Sequence, residues 1–267
     1  MAECAILAGE PEIALVQCQS LIETDPDSGM AHALMGEALL AMGQKDDGIQ
    51  HLGLATLLNP EEPNTWLKLV RAYQDLDEKE KSLETLRAAI AVVGDSGAIQ
   101  FALGKMLVDA GSVTESLMYL RKAYDLERGN VEHALYYSQA LSRLGFHTEA
   151  KQVVADAVCI APDEPRLAAM QGELLSAEGE YLRALESWEK AVTSESALTE
   201  WNLGYAACLL GLSNDQVDNR LQKVEASLRK VLATNRENFQ GRFLLGKLFV
   251  QQHENEAAFS IFSQLVE

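Results

Sequence analysis

The sequence predicts an all-α chain built as a solenoid of antiparallel helix hairpins, and three observations carry that expectation. First, a small residue recurs on a nearly fixed spacing at Gly36, Val70, Gly104, Ser138, Gly172, Gly204 and Gly246, the first four intervals being 34 residues each. One globular core needs no such period, whereas a stack of copies of one supersecondary unit does. Second, apolar residues stand one before and three after these positions, as in Leu69 and Tyr73, Leu103 and Leu107, or Tyr137 and Leu141. Third, Gly43, Gly111, Gly145, Gly179 and Gly211 follow as turn signals. Beyond them a small residue precedes a large one by four, as in Gly48 with Leu52, Ser116 with Leu120 and Ala184 with Trp188. Spacings of three and four on both sides of a Gly turn describe two amphipathic helices folded back on each other.

Each recurring residue type has a physical reason. Gly, Ser or Ala at the crossing of two helices removes bulk and lets the backbones approach toward the short end of the usual range of roughly 8–10 Å. Gly at the turn reaches the left-handed conformation that ends a helix without a Cβ penalty. Pro63 and Pro165 suit the first helical turn, where an amide hydrogen has no intrahelical partner. Glu61, Glu62, Asp163 and Glu164 precede them and place negative charge near the positive helix end. Between Gly204 and Gly246 the interval grows to 42 residues. There Val217, Leu221, Val224, Leu228 and Val231 continue at helical spacing, which predicts a second helix lengthened by about two turns after a cap at Asn214 or Asp215.

The pattern resembles the tetratricopeptide repeat family, with Trp66, Leu69, Val70 and Tyr73 as the fullest match in a first helix and Pro26, Pro60 and Pro162 at the closing proline. The expected organisation is a single solenoid over 1–267. It has a leading half repeat to residue 26, then repeats at about 27–60, 61–94, 95–128, 129–162, 163–196 and 197–236, and an incomplete repeat over 237–267. The resemblance implies a right-handed superhelix whose first helices line a concave face where partner segments lie. It implies that the inward positions are those three before and one after each small residue. On that basis the expected binding residues are Leu67, Arg71, Phe101, Lys105, Leu135, Gln139, Trp201, Tyr205 and Phe243, with Arg143 one turn beyond Gln139. The same series contains Ala33, Glu37, Ala169, Glu173 and Lys247. Arg71, Lys105 and Arg143 point to a ligand with apolar side chains and a carboxylate.

Composition narrows the function. The 267 residues carry a formal net charge of −18, which opposes nucleic-acid backbones and anionic lipid alike. No apolar run reaches the length of a membrane span, and no basic leader opens the chain. The four cysteines, Cys4, Cys18, Cys159 and Cys208, form no C-x-x-C pair and read as packed reduced thiols, which points to a cytoplasmic setting. Gly94-Asp95-Ser96-Gly97 looks like a nucleophile segment and Asp25-Pro26-Asp27-Ser28-Gly29 like a calcium loop. Both fall between repeats, where Asp and Ser are helix caps. His32, His51, His133, His147 and His253 are dispersed without metal-ligand spacing. No catalytic residue, cofactor or metal is therefore expected. The expected function is a non-enzymatic scaffold that binds a peptide or helical segment of a protein partner. The alternatives are an assembly module that self-associates through its terminal repeats, or the recruiting arm of an enzyme whose catalytic domain lies elsewhere.

Overall fold

The computed structural model describes residues 2–195, 197–213, 217 and 219–266. Among them are sixteen helices and no strands, so the chain is an all-α helical-repeat solenoid. It divides into two compact units, Met1–Arg128 and Gly129–Glu267. The first unit contains α1 (Ala2–Leu7), α2 (Pro11–Thr24), α3 (Gly29–Ala41), α4 (Lys45–Leu58), α5 (Pro63–Gln74), α6 (Lys79–Val93), α7 (Gly97–Asp109) and α8 (Val113–Leu126). The second contains α9 (Val131–Arg143), α10 (His147–Ile160), α11 (Pro165–Ala177), α12 (Tyr181–Thr193), α13 (Thr199–Gly211), α14 (Arg220–Thr234), α15 (Phe239–Gln251) and α16 (Asn255–Val266). Consecutive helices pair into hairpins, α1 with α2 through α15 with α16.

The small residues of the 34-residue period sit where the two helices of a hairpin cross. A Cβ on Gly36 would lie 2.8 Å from Leu52 Cγ and from the Gly48 carbonyl oxygen, and one on Gly104 would lie 2.7 Å from Leu120 Cγ. The small residue of the first helix thus packs against the large residue of the second, and these large residues, Leu52, Leu86 and Leu120, are fully buried. Trp66, Val70, Leu103 and Leu107 extend the same packing from hairpin to hairpin within the first unit. In the second unit a continuous core runs through Ala184, Trp188, Leu209, Leu228 and Leu248. Trp188 meets two small residues at once: its ring occupies the space that a Cβ on either Gly172 or Gly204 would need. Its indole N–H donates to Ser176 Oγ at 3.0 Å, so the buried ring leaves no polar group unmet.

Helix ends follow the expected chemistry with three corrections. Ser28 and Ser96 are N-caps that accept from the Ala31 and Ile99 amides, which gives both apparent catalytic or calcium segments a structural role. Pro63 and Pro165 open α5 and α11 behind the capping carboxylates of Glu62 and Glu164. Gly43, Gly111, Gly145 and Gly179 adopt positive φ in the turns, and Asp77 and His253 take that conformation in two other hairpins. Gly211 is the first correction: it ends α13 inside the helix, packed against the Tyr181 ring.

The second correction is that the longer interval does not lengthen a helix. α14 begins at Arg220 and has 15 residues, as α6 does. The proposed cap at Asn214 or Asp215 lies outside the described residues. The last carbonyls of α13 are met by side chains as well as by the Leu212 amide, which donates to the Leu209 carbonyl at 3.2 Å. Arg220 donates to the Leu209 carbonyl at 2.8 Å and to Gln251 Oε1 at 2.9 Å, while Gln251 donates to the Leu210 carbonyl at 3.0 Å. A buried cation at a helix C-terminus is favoured by the helix dipole, and burial pulls the Arg220 guanidinium below its usual range. Third, Cys159 is exposed, whereas Cys18 and Cys208 are buried as expected. The Cys4 side chain lies outside the described ones. Burial pushes the Cys208 thiol up to about 11, and it donates to the Tyr181 carbonyl at 3.3 Å.

Two histidines form a buried contact that the dispersed sequence positions concealed. His32 Nε2 lies 3.1 Å from the Pro26 carbonyl oxygen, which can only accept, so His32 Nδ1 is the acceptor for the His51 Nδ1–H at 2.9 Å. The rings stack at 5.2 Å. Burial and His32 lower the His51 pKa, with Asp47 opposing. The unfolded chain consequently takes up this proton first as pH falls below 6.5, so stability is full above that pH and declines as pH drops through the lowered folded value. Urea denaturation at neutral and mildly acid pH will show a smaller acid loss in His51→Gln than in the parent chain. The packing makes a second prediction of opposite signs. Gly104→Leu will destabilise by about 1–3 kcal/mol by overpacking against Leu120. Gly53→Ala, where a Cβ meets nothing within 4 Å, will stabilise by about 0.5–1 kcal/mol; thermal melts of both variants check the pair.

Candidate functional site

The first helices of the four hairpins in the second unit, α9, α11, α13 and α15, line a cavity of about 870 Å³. Its apolar wall is made by Leu135, Met170, Leu198, Trp201, Phe243 and Leu244. Gly204 and Ala207 leave its floor without bulky side chains, and Trp188 lines it as well. Its polar groups are Gln139 and Gln240, and its charged groups are Glu132, Arg166, Glu173 and Glu200. The size and the mixture of apolar surface with a few polar groups suit ligand binding.

Four of the expected binding residues meet here: Leu135, Gln139, Trp201 and Phe243, together with Ala169 and Glu173 of the same series. Phe243 is 38% exposed, so its ring is available, and Lys247 stands over its face at 4.9 Å. Trp201 is 8% exposed and belongs to the core cluster, so it contributes an edge to the wall rather than a free ring. Tyr205 turns away from the cavity. It is buried on the α12 side, where its hydroxyl donates to Glu189 Oε1 at 3.2 Å and Lys223 reaches the same oxygen at 3.1 Å. Burial first, and Glu189 second, raise its phenol pKa. Arg143 is exposed near the end of α9 and outside the cavity, although its charge reaches Glu173.

The remaining expected residues lie in the first unit. Leu67 is half-buried against the core that contains Trp66 and Leu103. Arg71 is exposed on α5. Phe101 is half-buried on α7 with the Lys105 ammonium 6.0 Å from its ring centre.

Sequence reasoning missed Glu132, Arg166, Leu198 and Gln240, which all stand six residues before the small residue of their helix. That position is one helical turn before the inward residue at minus three, so the signal was the helical ridge itself. Tyr136 and Met170, two before the small residue, complete the same ridge on α9 and α11.

The electrostatics are uneven. Arg166 is engaged by Glu164, with Nε 2.8 Å from Oε1 and a second nitrogen 3.4 Å from Oε2, and Arg166 holds the Glu164 carboxyl below the usual range. Glu173 is exposed on α11, yet neighbouring atoms crowd its carboxyl. That crowding raises its carboxyl pKa, Arg143 opposes, and Glu200 adds to the rise. Among the described residues no cluster of three or more His, Cys, Asp or Glu is arranged to hold a metal, and no helix is long and apolar enough to cross a membrane.

Paired helices whose first members share one face define the helical-repeat class. Within that class, residues 67–131 match the profile of the tetratricopeptide repeat family. PilF of Pseudomonas aeruginosa has a similar structure, with a TM-score of 0.66 and 15% identity, over 80% of this chain and 95% of that one. YrrB, a tetratricopeptide protein with an unusual peptide-binding site, matches with a TM-score of 0.56 and 17% identity, over 66% and 90% of the two chains. In sequence, the Vi polysaccharide export protein VexE of Salmonella typhi is 25% identical over 135 residues, which span 49% of this chain and 21% of that protein.

The raised Glu173 carboxyl fixes a direction. A carboxyl whose pKa is higher folded than unfolded weakens the fold as pH rises through that interval. Glu173→Gln will therefore be more stable than the parent chain at neutral pH, with the difference shrinking below the carboxylate range, as read from urea midpoints.

Proposed function

We propose that this chain is a non-enzymatic protein–protein interaction scaffold that takes an extended or helical segment of a partner into the cavity of its second unit. The observation that carries the reading is the convergence of four first helices on one cavity with exposed Phe243, half-buried Leu135 and the polar Gln139 at its wall. The YrrB likeness, a tetratricopeptide fold with a peptide-binding site, supports it. In the first unit, Leu67, Arg71, Phe101 and Lys105 are proposed as a second set of contacts, with Arg71 and Lys105 supplying positive charge. The exposed thiol of Cys159 supports a reducing compartment such as the cytoplasm.

A second reading is self-association, and it rests on the apolar surface of the last hairpin, where Phe239, Phe259 and Val266 are 63%, 74% and 88% exposed. Such side chains bury readily against a second copy. Light scattering over a range of concentrations separates the two readings, since the groove reading needs no dimer.

The test of the groove reading uses a photo-crosslinking amino acid at Phe243 or at Gln139, compared with Met118, which is 65% exposed on the second helix of a hairpin in the first unit. In cells that express the chain, the two cavity positions will trap one common partner that the Met118 position does not. Equal capture from all three positions would remove the proposal. Phe243 and Gln139 serve better than Trp201, because truncating a side chain as buried as Trp201 costs about 3–5 kcal/mol of folding on its own account.

A further inference from the structure

We propose that the cavity of the second unit selects a basic, apolar segment of a partner protein, seating a Lys or Arg side chain against Glu173 and Glu200 with its apolar neighbours on Leu135, Met170 and Phe243. This rests on the reading of that cavity as the partner site and names the chemistry it takes.

Charge complementarity carries the inference. Among the described lining residues three are acidic, Glu132, Glu173 and Glu200, and the one cation, Arg166, is already engaged by Glu164. Glu173 and Glu200 make no hydrogen bond or ion pair among the described residues, so both carboxylates remain available to a ligand. They also act on each other: Glu200 adds to the rise of the Glu173 carboxyl. An ammonium or guanidinium placed between them removes that repulsion, whereas an acidic segment would add a third negative charge. Two charges argue the other way: Arg143, which tempers Glu173 from outside the cavity, and Lys247, which stands over the Phe243 ring. Neither is a lining residue of the cavity.

The apolar wall fits the same ligand. The methylene stem of Lys or Arg covers apolar surface while its head reaches for charge, and Leu135 stands four residues before Gln139 as Met170 stands three before Glu173, on the first helices of adjacent hairpins. The net charge of −18 steers a basic segment inward from a distance. Of the inward cations expected from sequence, Arg71 and Lys105 lie in the first unit, and Lys247 stands over the Phe243 ring beside the cavity without being one of its lining residues.

A random library of short peptides displayed against the full chain tests the inference. Selected peptides would be labelled and titrated by fluorescence anisotropy against the parent chain, a Glu173→Gln/Glu200→Gln variant and a Leu135→Ala/Phe243→Ala variant. The expected result is enrichment of Lys or Arg beside apolar residues, affinity roughly tenfold lower in the carboxamide variant, and weakening as salt rises. Circular dichroism will show the carboxamide variant folded. Acidic or neutral peptides that lose affinity in the Leu135/Phe243 variant but not in the carboxamide variant would overturn the basic assignment and leave the groove reading intact. Peptides indifferent to both variants, or a selection that yields none, would overturn the groove reading and this inference with it.

Discussion

The structure depends on the crossing point inside each hairpin, where a small residue of the first helix faces a large residue of the second. At Gly36 and Gly104 the partner side chains Leu52 and Leu120 fill the space that a Cβ would take. Removing bulk on one helix and supplying it on the other lets two backbones approach closely while the volume between them stays filled. This arrangement recurs at a fixed chain distance, so each hairpin presents nearly the same faces to the next. The core becomes a series of neighbour contacts, a property of repeat architectures in general.

The cavity of the second unit is a by-product of the same rule. Gly204 has no side chain where the Trp188 ring fills the space beside it, and Gly204 with Ala207 leaves a hollow in front. Trp188 makes the arrangement possible. By filling the space beside both Gly172 and Gly204 it supports the floor from behind, and Ser176 satisfies its indole. The wall is then decorated by whatever residues occupy the inward ridge of each first helix. Chemistry can vary there without touching the crossing.

The hairpins could be read from sequence because the crossing constrains residue type on both helices. Leu135, Gln139 and Phe243 were found by counting from the small residue, since a helix of fixed pitch converts offset into direction. Three things escaped. Glu132, Arg166, Leu198 and Gln240 lie one turn earlier on that ridge, and no residue type recurs there to mark it. Trp201 and Tyr205 have the right offsets, but large aromatic side chains bend toward whichever neighbour offers burial, and Tyr205 finds Glu189 behind its helix. The Arg220 contacts join residues on three helices, Leu209, Arg220 and Gln251, and depend on tertiary placement rather than local pattern.

Those last contacts tie three helices together at one helix end. In the other hairpins a left-handed residue closes the first helix and sets where the second begins. Around α13 the Leu212 amide is joined by side chains from the head of α14 and the tail of α15, so groups far apart in the chain close that helix together. A change at Gln251 is therefore felt at the end of α13 as well as on its own helix.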